Sequence, residues 1–316
     1  MVPDEPPQWQ KSEAVLSVSF DGGEYQVVDA LYTPVQLAVV PVVAWVNEQI
    51  TWLGTAFAIA AGGLFLTASH VFEEFLADHA EATRTGTAGL YVYWETDEPL
   101  PPHHDRPELP AGLGGLLPVV AVSWHPTADL GLLRVSLPQL SRPVTFPTLA
   151  LHVGLPIVGQ RCAAVAYHKV RFEGRVPVGQ AASVDFTRQL AVTRGIIQNV
   201  HRERRDRSML TWPCFLTDAR YPGGMSGGPV AADDGRVVGV VCSNTSLGEM
   251  SGIPETSYAT LLAAALTMLV PPGRPTENPR PLVELILEGV VSVTGLEHVD
   301  VVERDGKYAV VYVEPE

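Results

Sequence analysis

A serine lies inside a run of glycines at Tyr221-Pro-Gly-Gly-Met-Ser226-Gly-Gly-Pro-Val230, just before the strand-like segment Gly235–Cys242. Glycine lacks a Cβ, so such a backbone can turn tightly and leave its N–H groups pointing outward. That suits a serine nucleophile whose neighbouring amides must hold a developing oxyanion. A serine hydroxyl is a weak nucleophile unless a base stands within hydrogen-bond reach. Two other stretches offer the missing groups. Thr67-Ala-Ser-His70 ends the apolar run Gly54–Leu66, and His125-Pro-Thr-Ala-Asp129 comes directly before the apolar Leu130–Leu133. An imidazole at His70 can take the serine proton and return it to a leaving amine. A carboxylate at Asp129 can hold the other ring nitrogen, fix the tautomer and stabilise the imidazolium. Taken singly, each residue is ordinary: a structural histidine before a helix, a turn aspartate before a strand, a glycine-rich turn.

The order along the chain is His70, Asp129, Ser226, which differs from that of subtilisins and α/β-hydrolases. The three motifs together resemble the trypsin-like serine peptidase family over about residues 35 to 265. Thr217-Asp-Ala219 precedes the serine loop much as in the bacterial HtrA-like and intracellular branches. The resemblance implies a serine endopeptidase working through an acyl-enzyme, with the amides of Gly224 and Ser226 as its oxyanion hole. It implies an all-β chymotrypsin-like fold of two six-stranded antiparallel barrels. A specificity pocket would be walled by Arg220–Gly224, Cys242–Asn244 and Ile253–Tyr258. Arg220 would favour an acidic side chain before the cut and Glu255 a basic one, and both options stay open. Extended substrate would add as a strand along Ser243 and Asn244.

Met225 stands where secreted zymogens of the family carry an aspartate that pairs with a new N-terminal amine. Methionine cannot form that pair, so control must come from elsewhere. The arginine-rich loop His201–Ser208 occupies the place of a regulatory loop in HtrA-like relatives, and a regulatory protein partner could act there. An exposed charged hairpin is an equally good reading.

These side chains need elements to position them. Segments rich in Val, Ile, Thr and aromatic residues, punctuated by Gly, Pro, Asp and Asn, run through Tyr25–Leu31, Leu37–Val46, Thr51–Ala60, Leu64–Ala68, Leu90–Trp94, Leu116–Trp124 and Leu130–Val135. They read as an antiparallel barrel. A helix is expected over Val71–Ala82, with Val71, Phe72, Phe75 and Leu76 on one face. The proline-rich 136–147 is the expected crossover to a second barrel, closed by a helix over Tyr258–Leu269. The expected division is a tail at 1–13, barrels at 14–140 and 141–270, and an extension at 271–316 with a helix at Leu282–Val290 and a hairpin around Arg304-Asp-Gly306.

With 316 residues, 46% of them hydrophobic, the chain is ample for two packed cores. A net charge of -14 argues against nucleic acid as a general partner, and four arginines interleaved with acids do not reverse that. No basic-then-apolar leader opens the sequence, and the apolar run Leu37–Val46 is broken by Pro41, so no membrane partner is expected. Cys162, Cys214 and Cys242 are odd in number, lack metal-like spacing and lie in apolar segments, which points to buried thiols and a cytoplasmic setting. His103-His-Asp105 sits in the Pro/Gly/acid-rich stretch 95–115 without a further ligand cluster, so neither metal nor cofactor is expected. The partner implied is a protein or peptide substrate, one specific target of stress or antiviral defence among the options. Competing readings are a protease-fold binding module without turnover and an esterase.

Overall fold

The computed structural model describes residues 25–28, 37–95, 114–137, 145–175, 185–245, 256–273, 278–304 and 307–313. Glu255 and the stretch His103–Asp105 lie outside them.

The first barrel is built from β2 (Val39–Val46), β3 (Gln49–Ala60), β4 (Leu64–Thr67), β5 (Ala88–Glu95), β6 (Gly114–Trp124) and β7 (Gly131–Val135). It closes in the order β2-β3-β4-β7-β6-β5. Closure removes the unpaired strand edges that a six-stranded open sheet would expose. Val39, Val42, Phe57, Ile59, Leu64, Leu66, Val92 and Leu132 are sealed from solvent at its core. Phe146, from the connection between barrels, packs edge-on against Phe65 at 4.9 Å and Trp94 at 5.7 Å.

The helix after His70 is shorter than its periodicity suggests. It runs over α1 (His70–Asp78) and breaks at His79, before the single turn α2 (Ala80–Arg84). Val71, Phe72 and Phe75 are its buried face. Phe72 lies where a side chain on Gly131 would have to go, so α1 rests directly on the start of β7.

The second barrel comprises β9 (Arg161–Glu173), β10 (Asp185–His201), β11 (Cys214–Thr217), β12 (Pro229–Ala232), β13 (Val237–Thr245) and β14 (Thr256–Leu261). Antiparallel pairings run β12-β9-β10-β11-β14-β13, and β13 returns to β12. Both barrels are therefore closed, six-stranded and antiparallel. β1 (Tyr25–Val28) pairs with β10 from Leu190 to Thr193. Cys162, Cys214 and Cys242 are buried thiols outside any disulfide. Burial raises the Cys162 thiol pKa to about 11 and the Cys214 thiol to about 12, so both stay protonated near neutrality.

The expected closing helix over Tyr258–Leu269 is not an α-helix. β14 continues through Tyr258 to Leu261, and a 3₁₀ turn follows at Leu262–Thr267. Ladder bonds from Tyr258 to both Leu216 and Ser243 outweigh the helical propensity of the Ala/Leu run.

Past the barrels, β15 (Leu269–Val270) and β16 (Arg280–Pro281) pair, and α3 (Leu282–Leu287) buries Leu282, Leu285 and Ile286. β17 (Val293–Thr294) adds in parallel to β8 (Leu151–His152), and β18 (Val299–Arg304) forms a hairpin with β19 (Lys307–Tyr312). Ser123 Oγ donates to the Leu269 carbonyl and Arg134 Nε to that of Pro271. The extension thus touches both barrels.

Candidate active site

His70 is the first residue of α1, and its ring is 45% exposed. Asp129 is 7% exposed, in the turn between β6 and β7. That turn is tied by its own histidine: His125 Nδ1 accepts the Ala128 amide at 2.9 Å and the Thr127 amide at 3.2 Å. A nitrogen that accepts is unprotonated, and burial lowers the His125 pKa in keeping with this. The His125 amide also donates to the Leu130 carbonyl, closing the turn around Asp129.

The buried carboxylate is fully used. Asp129 Oδ2 lies 2.8 Å from His70 Nδ1. Its Oδ1 accepts the His70 amide and the Ser69 hydroxyl, each at 3.1 Å. Three donors thus converge on one buried carboxylate. Burial lowers the His70 pKa, but the hydrogen bond and charge of Asp129, with the charge of Glu73, outweigh it and leave it raised. Because Nδ1 is spent on Asp129, Nε2 is the nitrogen left to exchange a proton.

Ser226 is half-buried and reaches this pair through β3. The Thr55 amide donates to the Ser226 carbonyl at 2.9 Å. At Gly54 an added Cβ would meet Val71 Cγ2 at 2.8 Å and the Ser226 carbonyl oxygen at 3.0 Å. The serine loop and the residue after His70 therefore press on Gly54 together. A side chain on Gly227, where φ is 84°, would overlap Thr55 and Thr67, the segment leading into His70. No hydrogen bond links the Ser226 hydroxyl to His70 among the described residues.

The amides of the loop divide cleanly. Met225 N–H donates to the Pro222 carbonyl, Gly227 N–H to Val241 and Gly228 N–H to Met225. Those of Gly224 and Ser226 donate to none of the described residues. Gly224 has φ of 91°, a conformation that favours glycine. Met225 is sealed in the second-barrel core with Tyr221, Phe215 and Val230. Apolar packing therefore surrounds Met225 on the core side of the serine loop.

Arg220 is exposed. Ser243 and Asn244 lie on β13, paired with Tyr258 and Ser257. The loop after β10 is held by Asp206, whose carboxylate accepts the amides of Met209 at 2.6 Å and Ser208 at 2.8 Å, and its pKa falls to about 2. Arg205 of that loop lies 4.7 Å over the Tyr258 ring, so the loop touches the β13–β14 wall.

Three contributors have no signal in the sequence. Trp52 Nε1 donates to the Gly54 carbonyl at 2.7 Å, and its indole occupies the space beside Gly224. His168 Nδ1 lies 3.2 Å from the Gly223 carbonyl across 55 residues. Thr55 Oγ1 accepts the Tyr167 amide at 3.1 Å, joining β3 to β9. Ser69 could have been singled out as the neighbour of His70.

Two closed barrels meeting at a histidine–carboxylate pair and a glycine-framed serine define a serine protease of the two-barrel class. A sequence model described as the trypsin-like peptidase domain matches residues 54–240, more than half of the chain. The chain belongs to that family and is a trypsin-like serine endopeptidase, a hydrolase of protein or peptide substrates. A comparison with curated proteins found no match. Among solved structures, Deg5 is similar at 19% identity with a TM-score of 0.45, over 72% of this chain and 84% of that one. The active form of the Rv3671c protease from M. tuberculosis is similar at 20% identity with a TM-score of 0.42, over 72% and 77%. The apo MamO protease domain from Magnetospirillum magneticum is similar at 19% identity with a TM-score of 0.44, over 73% and 95%. No helix among the described residues is long and apolar enough to cross a membrane.

Proposed function

We propose that this protease cleaves peptide bonds through a His70–Asp129–Ser226 triad and an acyl-enzyme. Ser226 Oγ attacks the scissile carbonyl as His70 Nε2 takes its proton. The C–N bond then breaks as the imidazolium protonates the leaving amine. Water, activated by the same imidazole, releases the acyl group from Ser226 in the second half. Asp129 holds His70 in the Nδ1–H tautomer and stabilises the imidazolium. The Gly224 and Ser226 amides receive the oxyanion of each tetrahedral intermediate.

The observation that carries this reading is the pairing of a fully bonded, buried Asp129 with His70 Nδ1 at 2.8 Å. The two unspent amides flanking Met225 support it. Substrate would lie antiparallel along β13 beside Ser243 and Asn244, with Arg220 and Glu255 as candidate selectors before the cut. The three buried thiols fit a reducing, cytoplasmic setting. A regulatory protein partner would act through the loop at Arg205, because that loop touches Tyr258 in the β14 wall.

A fluorophosphonate probe tests the assignment. The protein is expected to label, and Ser226→Ala to lose both labelling and peptidase activity while keeping its fold. Peptide cleavage that persists in pure Ser226→Ala would overturn it. Turnover of small esters without any peptide cleavage would favour the esterase reading.

A further inference from the structure

We propose that His168 is a positioning residue that locks the Gly223–Gly224 peptide with its N–H turned toward the substrate carbonyl. This rests on the reading that Gly224 supplies an oxyanion donor.

The peptide between Gly223 and Gly224 is trans, so its carbonyl and its N–H point in opposite directions. The Gly223 carbonyl can only accept. His168 Nδ1, 3.2 Å away, must therefore carry the proton and donate it. Holding the oxygen on the β9 side leaves the Gly224 N–H on the opposite side, where it donates to none of the described residues. Rotating this peptide by a half-turn would swap the two groups. The N–H would then face His168, and the carbonyl would face the position reserved for the oxyanion.

Such a rotation meets little intrinsic resistance. It turns mainly on ψ of Gly223 and φ of Gly224, and glycine populates both signs of φ with similar ease. Around Gly223 an added Cβ would find nothing within 4 Å, so packing there does not select an orientation. Two side chains supply the selection. His168 holds the carbonyl from the second barrel. Trp52 presses its indole against Gly224 from the first barrel, and its Nε1 bond to Gly54 at 2.7 Å fixes the ring. The donor is thus prepared before substrate arrives, which is what electrostatic stabilisation of a transition state requires.

The bond does not depend on the charge of His168, because Nδ1–H is present both in one neutral tautomer and in the imidazolium. Loss of His168 should lower the competent fraction of the enzyme without moving the pH midpoint of activity. It should reduce transition-state binding and leave ground-state binding almost intact.

The test compares His168→Leu and His168→Ala, which lack a donor, with His168→Asn, whose amide N–H reaches the same place. Turnover of a peptide anilide, its KM and the affinity of a peptide boronate are measured for each. Ser226→Ala is run alongside, and melting temperature confirms folding. Losing an oxyanion donor costs about 10²–10³ in kcat, so partial release should cost both donorless variants about 10- to 100-fold. KM should stay within about twofold, and boronate affinity should fall with kcat. His168→Asn should return kcat to within about threefold of the parent. Unchanged kcat and boronate affinity in the donorless variants would overturn the proposal. So would an Asn variant as slow as they are, since that would make His168 merely structural. Should both donorless variants fail to fold, a folded Asn variant of low kcat overturns it and one of near-parent kcat supports it. Activity surviving in Ser226→Ala would instead remove the nucleophile assignment, a separate failure.

Discussion

Thr55 gives its amide to the carbonyl of Ser226 over 2.9 Å, so a strand of the first barrel holds the serine loop of the second. Thr55 is fully buried and carries two more bonds: its carbonyl accepts from Thr67 Oγ1 at 2.6 Å, and its hydroxyl accepts from the Tyr167 amide at 3.1 Å. One residue thereby joins β4, β9 and the loop that carries Ser226. In Thr55→Val the shape is kept but the Tyr167 amide loses its acceptor in a buried place. An orphaned buried donor costs about 1–3 kcal/mol. Chemical denaturation should read a loss of that size, and kcat should fall as the barrels loosen around Ser226. A variant with parental stability would show that the Tyr167 amide finds another partner.

Asp129 accepts from His70 twice and from Ser69 once, and it is the group whose replacement is most diagnostic. Asp129→Asn preserves volume but presents an N–H where an acceptor is needed, which favours the wrong tautomer of His70. In the chymotrypsin-type triad this change costs about 10⁴ in kcat. A loss of about 10³–10⁴ is expected here, with circular dichroism unchanged. A loss under about tenfold would exclude Asp129 as the orienting acid.

If His70 is the base of the proposed triad, its raised pKa should set the acid limb of activity. The imidazole must be neutral to act as a base, so kcat/KM should rise with pH through a midpoint above the ordinary imidazole value of about 6.5. For stability the sign is opposite. A raised folded pKa contributes fully below about 6.5 and is lost as pH rises through the folded value. His125 runs the other way: its pKa is lowered, so its contribution is present above about 6.5 and is lost as pH falls through the folded value. A pH–rate profile in which Asp129→Asn shifts the midpoint downward would tie the limb to His70. A midpoint indifferent to that substitution would assign it elsewhere.

The C-terminal extension shares the core of the barrels. Leu282, Leu285 and Ile286 of α3 belong to the same buried cluster as Leu262 and Leu266, and Ser123 and Arg134 hold its start. Truncating a buried leucine costs about 2–5 kcal/mol. Leu285→Ala should lower the midpoint of unfolding accordingly, in a single transition shared with the barrels. A separate early transition would mark the extension as an independent unit.

Much of the site was legible because local chemistry marks it. A histidine at the start of an amphipathic helix, an aspartate in a turn before an apolar strand and a serine among glycines each carry a signal within about ten residues. Strand alternation likewise announced antiparallel barrel strands, because inward and outward faces must differ wherever a sheet covers a core, while their division into two barrels came from the family resemblance. Chain order alone set His70 before Asp129 and Asp129 before Ser226. The sequence did not determine where the Ala/Leu run after Tyr258 would stop being a strand, since ladder partners on β11 and β13 overrode propensity there. Nor could it join His168 to Gly223, Trp52 to Gly224 or Thr55 to Ser226. Those contacts span 55 residues or more, and no periodicity or spacing records which distant side chain will face a given carbonyl. Only the closing of both barrels against each other decides that, because it fixes the few ångströms over which a hydrogen bond is made or lost.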